Sequence, residues 1–217
     1  MSWTITGAQP FPAVIGEPFG GGYFAGYISH TQDGSPTHAL IVAPRESGAT
    51  GTGYPATSTL QWKTSRTQTA GAFTTFDGRL NTDLIVAAGI NDHPAAKYCI
   101  ELNIGGFNDW YLPSQDELGI AYFNFKPNTV NNATNSGANP YAVPPRADNY
   151  TQKLPSQTQI ALFSTGGPQA FTTEIHWSSG QPATVTNAFD TSFNSGMVAQ
   201  RFKDGTYSVR AFRRIAL

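Results

Sequence analysis

Apolar residues along the chain fall into short runs of two periods, separated by long stretches rich in Gly, Asn, Ser and Thr. The helical period is clearest after Pro113. Leu118, Tyr122 and Phe125 lie at i, i+4 and i+7, Ala121 fills the same stripe, and Pro127 makes continuation unfavourable. Ser114 stands three residues before Glu117, the spacing of a capping box, in which hydroxyl and carboxylate satisfy free N–H groups of a first turn. A short amphipathic helix is therefore predicted to begin at Gln115. Pro113 disfavours helical geometry at Leu112, so Trp110 to Leu112 reads as an extended segment pinned into the core by Trp110 and Leu112. Two helices are predicted upstream. One is capped by Asn81 or Thr82, faces Leu84, Ile85 and Ala88 inward and stops at Gly89. The next has Asp92 or His93 as cap and Pro94 in its first turn, with Ala95, Ala96, Cys99 and Ile100 inward.

Apolar runs bounded by turns mark strands. Gly20 to Ile28 and Ala39 to Ala43 flank a polar turn containing Asp33-Gly34 and predict a first hairpin. Near the C-terminus, Val198, Gln200 and Phe202 alternate with Ala199, Arg201 and Lys203. Asp204-Gly205 supplies a turn, and Tyr207, Val209 and Ala211 are expected to return as the partner strand. Between Glu46 and Phe76 the pattern predicts surface loops anchored by Tyr54 and Trp62. Pro127 to Gln159 has no periodicity, and long ordered loops in compact domains usually serve function, so it is the candidate contact surface. Prolines at 10, 12 and 18 break up the apolar N-terminus; residues 1–15 read as an arm or an edge strand, and 16–217 as one domain.

Composition narrows the partners. Thirteen Lys and Arg balance fourteen Asp and Glu, so no net field attracts nucleic acid or an anionic membrane. The charged fraction, 12%, is about half the usual ~25%. Such a neutral polar surface suits assemblies or carbohydrate, because amides and hydroxyls are desolvated at lower cost than charges. No apolar run approaches the ~20 residues of a membrane span, and the N-terminus lacks a signal-peptide pattern. The single cysteine, Cys99, fits synthesis in a reducing cytoplasm.

Reactive constellations are hard to find. Asp116 and Glu117 are adjacent carboxylates of a first helical turn, where capping and the helix dipole account for both. Asn108-Asp109 reads as a turn in preference to a Ca²⁺ ligand pair. His30, His38, His93 and His176 lack zinc-ligand spacing, and His176 reads as a hydrogen-bonded structural histidine. Cys99 falls on a buried helix face, and no serine sits in a Gly-x-Ser-x-Gly setting. Gly20-Gly21-Gly22 reads as close backbone packing, and Arg210, Arg213 and Arg214 as flanking or ion-paired groups. No metal, cofactor or catalytic residue is expected.

The run Asp109-Trp110-Tyr111-Leu112-Pro113-Ser114-Gln115-Asp116-Glu117-Leu118 resembles the signature of Lcl C-terminal-like domains of bacterial and phage proteins. The resemblance extends to Gly20 to Ile28, Ala39 to Pro44, Gln61-Trp62, Asn81-Thr82, Ala95 to Cys99, His176-Trp177-Ser178-Ser179, Ala188-Phe189, Gly196 and Val209 to Arg213, most of the chain. It implies an α+β, C-type-lectin-like fold related to the formylglycine-generating enzyme: a twisted antiparallel sheet, two or three short helices and long loops. It also implies structural roles for Trp110, Leu112, Pro113, Ser114, Glu117, Leu118 and Trp177. Formylglycine-generating enzymes use two cysteines and this chain has one, so that activity is not expected. The resemblance, low charge and missing leader together point to a phage virion component, a tail-fibre tip or similar appendage, made in the host cytoplasm. It would bind a host receptor, a glycan before a protein, as a homo-oligomer, a trimer by analogy with such appendages. Asn139, Tyr141, Asn149 and Tyr150 of the long loop are the candidate contacts, since tyrosine offers flat area with a polar tip and asparagine adaptable hydrogen bonding. The alternative is a capsid decoration, head-fibre or tail protein that binds other virion subunits only.

Overall fold

A curled antiparallel sheet built from the alternating segments near both ends carries the fold, with few short helices and long loops packed around it. The computed structural model describes residues 11–217. The strands are β1 (Pro18–Phe19), β2 (Gly22–Ile28), β3 (His38–Val42), β4 (Ala49–Thr50), β5 (Leu60–Gln61), β6 (Ala142–Val143), β7 (Ile175–Trp177), β8 (Asn187–Ser192), β9 (Val198–Phe202), β10 (Thr206–Tyr207), β11 (Val209–Arg210) and β12 (Phe212–Ala216). The α-helices are α1 (Arg45–Gly48), α2 (Gly78–Gly89), α3 (Pro94–Ile100) and α4 (Gln115–Phe125).

The expected first hairpin is β2 and β3, paired from Tyr23↔Val42 to Ile28↔His38 with an irregularity between Phe24 and Gly26. β12 lies on the other side of β3, β1 on β2, and β6 also pairs with β2. Gly22 has no room for a side chain, because a Cβ there would run into the Val42 carbonyl; this is the close packing read from the glycine run. Residues 12–19 run beside β2: Tyr27 Oη donates to Pro12 O at 2.7 Å, and Gly16 N to Phe24 O at 2.8 Å. Residues 1–10 of the expected arm lie outside the described residues.

α4 begins where the spacing placed it. Ser114 Oγ accepts from Glu117 N at 3.3 Å and Ser114 N donates to Glu117 Oε2 at 2.7 Å, closing the capping box. Leu118, Ala121, Tyr122 and Phe125 are buried against β2 and the aromatics Phe163, Phe171 and Phe193. A second apolar cluster gathers Trp62, Trp110, Trp177, Leu112 and Cys99. Each of these three tryptophan N–H groups finds a carbonyl: Trp62 to Ser178 O (2.9 Å), Trp110 to Phe107 O (3.0 Å) and Trp177 to Leu60 O (2.8 Å). Tyr54 and Trp62 anchor the 46–76 loops, as their embedding in polar sequence suggested.

Two expectations are corrected. α2 starts at Gly78 with Asp77 as cap, its Oδ1 accepting from Leu80 N at 2.8 Å. Asn81 and Thr82 lie inside the helix on its buried face, bonded to Thr74 and to Leu112, while Ala88 is exposed. The buried face of α2 is partly polar, so apolar periodicity marked its position poorly. The last hairpin does not form. The Asp204-Gly205 turn closes, with Gly205 N donating to Phe202 O at 2.9 Å, but β9 pairs with β8, whereas β10 pairs with β5 and β11 with β4. On β9, Phe202 is 51% exposed and, just beyond it, Lys203 is buried. The Lys203 stem fills core space, its ammonium donating to Thr67 O at 2.9 Å and lying 4.9 Å from the Trp62 ring centroid.

β9 is a free edge among the described residues. Lys203 N bonds Thr186 O, and Ser192 N bonds Met197 O, which directs the main chain of odd-numbered β9 positions toward β8. Val198, Gln200 and Phe202 therefore turn their backbone groups outward.

Candidate functional site

The 127–159 loop is ordered by buried polar side chains as well as by the packing of Tyr141, Ala142 and Tyr150 on the core. Asn132 donates to Thr151 O and Pro155 O, both at 2.9 Å, and accepts from Tyr122 Oη at 2.6 Å. Asn139 donates to Asp116 O at 2.9 Å and accepts from Ala142 N at 2.9 Å and Tyr141 N at 3.1 Å. Lys126 Nζ donates to Val130 O at 2.6 Å and Pro155 O at 3.2 Å. Backbone groups that a structureless loop would leave to water are thus satisfied from within, and the loop is folded over the first turns of α4.

A cleft of about 280 Å³ lies between that loop and α4, near the lower end of ligand-site sizes, ~300–1,000 Å³. Gln115, Asp116 and Gly119 form one wall. Asn135 to Asn139, Arg146, Asn149 and Tyr150 form the other, and Thr191, Gly196 and Val198 close the end. Gly137 has φ 121°, and a Cβ there would enter the Tyr150 ring, so only glycine lets the loop pass so close. Arg146 is held by Nε to Gly137 O (3.2 Å) and Nη2 to Gly119 O (3.3 Å), and its guanidinium lies 4.6 Å from the Phe123 ring centroid. Tyr150 Oη donates to the same Gly119 carbonyl at 3.3 Å.

The charges in the cleft are one of each sign. Burial pushes the Asp116 carboxyl up to about 6, with Thr75 and the Arg146 guanidinium pulling the other way. Among the described residues, Asp116 is the only carboxyl on the cleft wall. Its neighbour Glu117 faces away, accepting from Ser114 N and from Tyr111 Oη (2.8 Å), and burial pushes it up to about 7. The chemistry on offer is therefore hydrogen bonding by amides and hydroxyls around one carboxyl and one guanidinium.

Of the four candidate contacts, Asn139, Asn149 and Tyr150 come together in this cleft, and Tyr141 does not. Tyr141 stacks on Phe76 at 4.1 Å, packed against the core. Asn139 and Tyr150, 2% and 6% exposed, build the wall, while Asn149 remains exposed and accepts from Ala138 N at 3.3 Å. Sequence reasoning missed Arg146, Gly137 and the cleft-facing position of Asp116. Gly137 in a polar run was the one available signal.

The other singled-out residues sit away from the cleft. Trp110, Leu112, Pro113, Ser114, Glu117, Leu118 and Trp177 are all buried. His176 bonds Tyr54 Oη at 2.7 Å and the Glu174 carbonyl at 3.1 Å, and burial pushes it down to about 3. Burial pushes the Cys99 thiol up. The C-terminal arginines are dispersed: Arg210 is buried against Phe171 and bonds Ala43 O, Arg213 pairs with Asp109, and Arg214 pairs with Asp77 at 2.7 Å. Among the described residues no group of three or more His, Cys, Asp or Glu is placed to hold a metal, and no helix is long and apolar enough to cross a membrane. No protein-family model matches the chain, and no curated protein matches it in sequence.

Proposed function

We propose that this chain is a non-catalytic recognition protein of a phage virion, an appendage tip or similar surface component, whose C-type-lectin-like domain binds a host-surface glycan in the α4 cleft. The observation that carries the reading is the cleft wall itself. Gln115, Asn135, Ser136 and Asn149 supply amides and a hydroxyl, and Asp116 and Arg146 offset each other, a lining suited to a neutral polyhydroxylated ligand. The Lcl-like motifs support the fold and the setting, and the low overall charge supports a surface that meets sugar or neighbouring subunits.

Glycan-array and whole-cell binding test it. Removing the loop is uninformative, because Asn139 and Tyr150 are structural. Ala138 and Asn135 are exposed on the rim, so Ala138→Trp is expected to block the cleft and Asn135→Ala to weaken binding, both without loss of folding. Unchanged binding in both variants sinks the site. Phe11 and Val14, 45% and 63% exposed, favour a second reading, a decoration protein held on the particle by its N-terminal segment. Deleting residues 1–14 releases such a protein from particles and leaves the glycan affinity of a lectin domain intact.

A further inference from the structure

A second groove, of about 510 Å³, runs along the free edge of β9 and the turn that follows it, lined by Arg66, Asn187, Gln200, Arg201, Phe202, Asp204, Gly205 and Tyr207. On this edge stands Phe202, one of three exposed aromatic residues among those described, with Phe11 and Phe73. The ring is held, not loose. The Arg66 guanidinium lies 3.8 Å from its centroid and is itself fixed by Nε donating to both Asp204 oxygens at 2.9 Å. Arg201 lies 5.4 Å from the Tyr207 centroid and pairs ionically with the buried Asp190 carboxylate, Nε at 3.3 Å but outside hydrogen-bond geometry.

Arg66 thus spends Nε on a carboxylate, Arg201 Nε faces Asp190 without a hydrogen bond, and the terminal nitrogens of both make no hydrogen bond to a described residue. The outward main-chain N–H of Gln200 adds another donor on this edge. Asp204 has both oxygens committed to Arg66, and Asp190 is buried beneath Arg201. The groove therefore has donors in excess of free acceptors beside an aromatic face.

We propose that this groove is a second binding site, and that it takes an acidic saccharide, a uronate-containing chain whose carboxylate meets the free guanidinium N–H groups while a sugar ring lies on Phe202. The class of ligand rests on the reading of the chain as a glycan binder; the site does not use the α4 cleft. The two sites sit at opposite ends of β9, Val198 in one and Phe202 in the other, roughly 13 Å apart at strand rise.

Calorimetric titration of the full chain with trigalacturonic acid and with its methyl ester tests the site, the ester keeping the rings and removing the charge. The acid is expected to bind, more weakly as salt rises, and the ester about tenfold or more weaker, the loss expected for charge-assisted hydrogen bonds. Arg66→Ala and Phe202→Ala are each expected to weaken the acid about tenfold. Both side chains are exposed, and circular dichroism checks that the variants fold. Ala138→Trp is expected to leave this binding unchanged. No binding of the acid, equal binding of acid and ester, or full binding by both groove variants overturns the proposal; equally tight binding of tetraglutamate overturns its saccharide ligand. If neutral glycans bind the wild type and trigalacturonate does not, this site falls and the α4 cleft stands. If only trigalacturonate binds, the reverse holds.

Discussion

Glu117 shows how one residue can be legible in its spacing and opaque in its cost. Its carboxylate is fully buried and ties together the Ser114 N–H and the Tyr111 hydroxyl. Ser114→Ala removes one cap bond and is expected to lower stability by about 1 kcal/mol in urea denaturation. Glu117→Ala leaves two buried donors without an acceptor, and its expected loss is larger, about 2 kcal/mol or more by the same measurement. Asp116 has a pH signature. Its folded value, about 6, lies above that of an ordinary carboxyl, so the folded state disfavours the ionised form. That cost is absent where both states are protonated and reaches its full size above about pH 6. Asp116→Asn is therefore expected to stabilise the protein relative to wild type at about pH 8, and the gain to shrink by about pH 5. Paired thermal melts at the two pH values check this, and a gain independent of pH contradicts it. The capping role of the pair follows from three-residue spacing. Asp116 is enclosed by segments distant in sequence, Thr75 upstream and the 135–150 loop downstream, which leave no local trace.

At the scale of elements, legibility follows the range of the forces. α4 was readable because cap, stripe and terminating proline are all local. The first hairpin was readable because two strand-forming runs flank the Asp33-Gly34 turn, and Gly22 fits only where a carbonyl crosses. Gly22→Ala is expected to cost about 1–3 kcal/mol by chemical denaturation, the range for overpacking a tight site. The last hairpin misled because its turn is local and its pairing is not. Two-residue strands at Ala49–Thr50 and Leu60–Gln61 capture the chain after Gly205, and segments that short carry no periodicity. The burial of Lys203 was illegible for a related reason, since a buried lysine is recognisable only once Thr67, Gln181 and Trp62 surround it. Lys203→Ala is expected to lose about 2 kcal/mol through the unpaired Thr67 carbonyl, the lost bond to Gln181 Oε1 and the vacated stem volume, read as a lower urea midpoint.

For the whole molecule, the mixture of a curled antiparallel sheet with few short helices was legible, and the candidate cleft only half so. The absence of periodicity from Pro127 to Gln159 located the segment that builds the cleft. Yet the residue types favoured for contact, tyrosine and asparagine, are also those that satisfy a long loop from within, and Asn132, Asn139 and Tyr150 do that work here. What remains at the rim is less conspicuous: Asn135, Ala138 and Asn149. The neutral composition of the chain is repeated in the cleft, where one carboxyl and one guanidinium offset each other among amides. The most direct test of the account is retention of wild-type protein and Ala138→Trp on immobilised host-surface glycans, with melting temperatures measured alongside. The account predicts that the wild type is retained and that the variant, equally stable, is not. A wild type that no glycan retains, or a variant retained as well as the wild type, contradicts it.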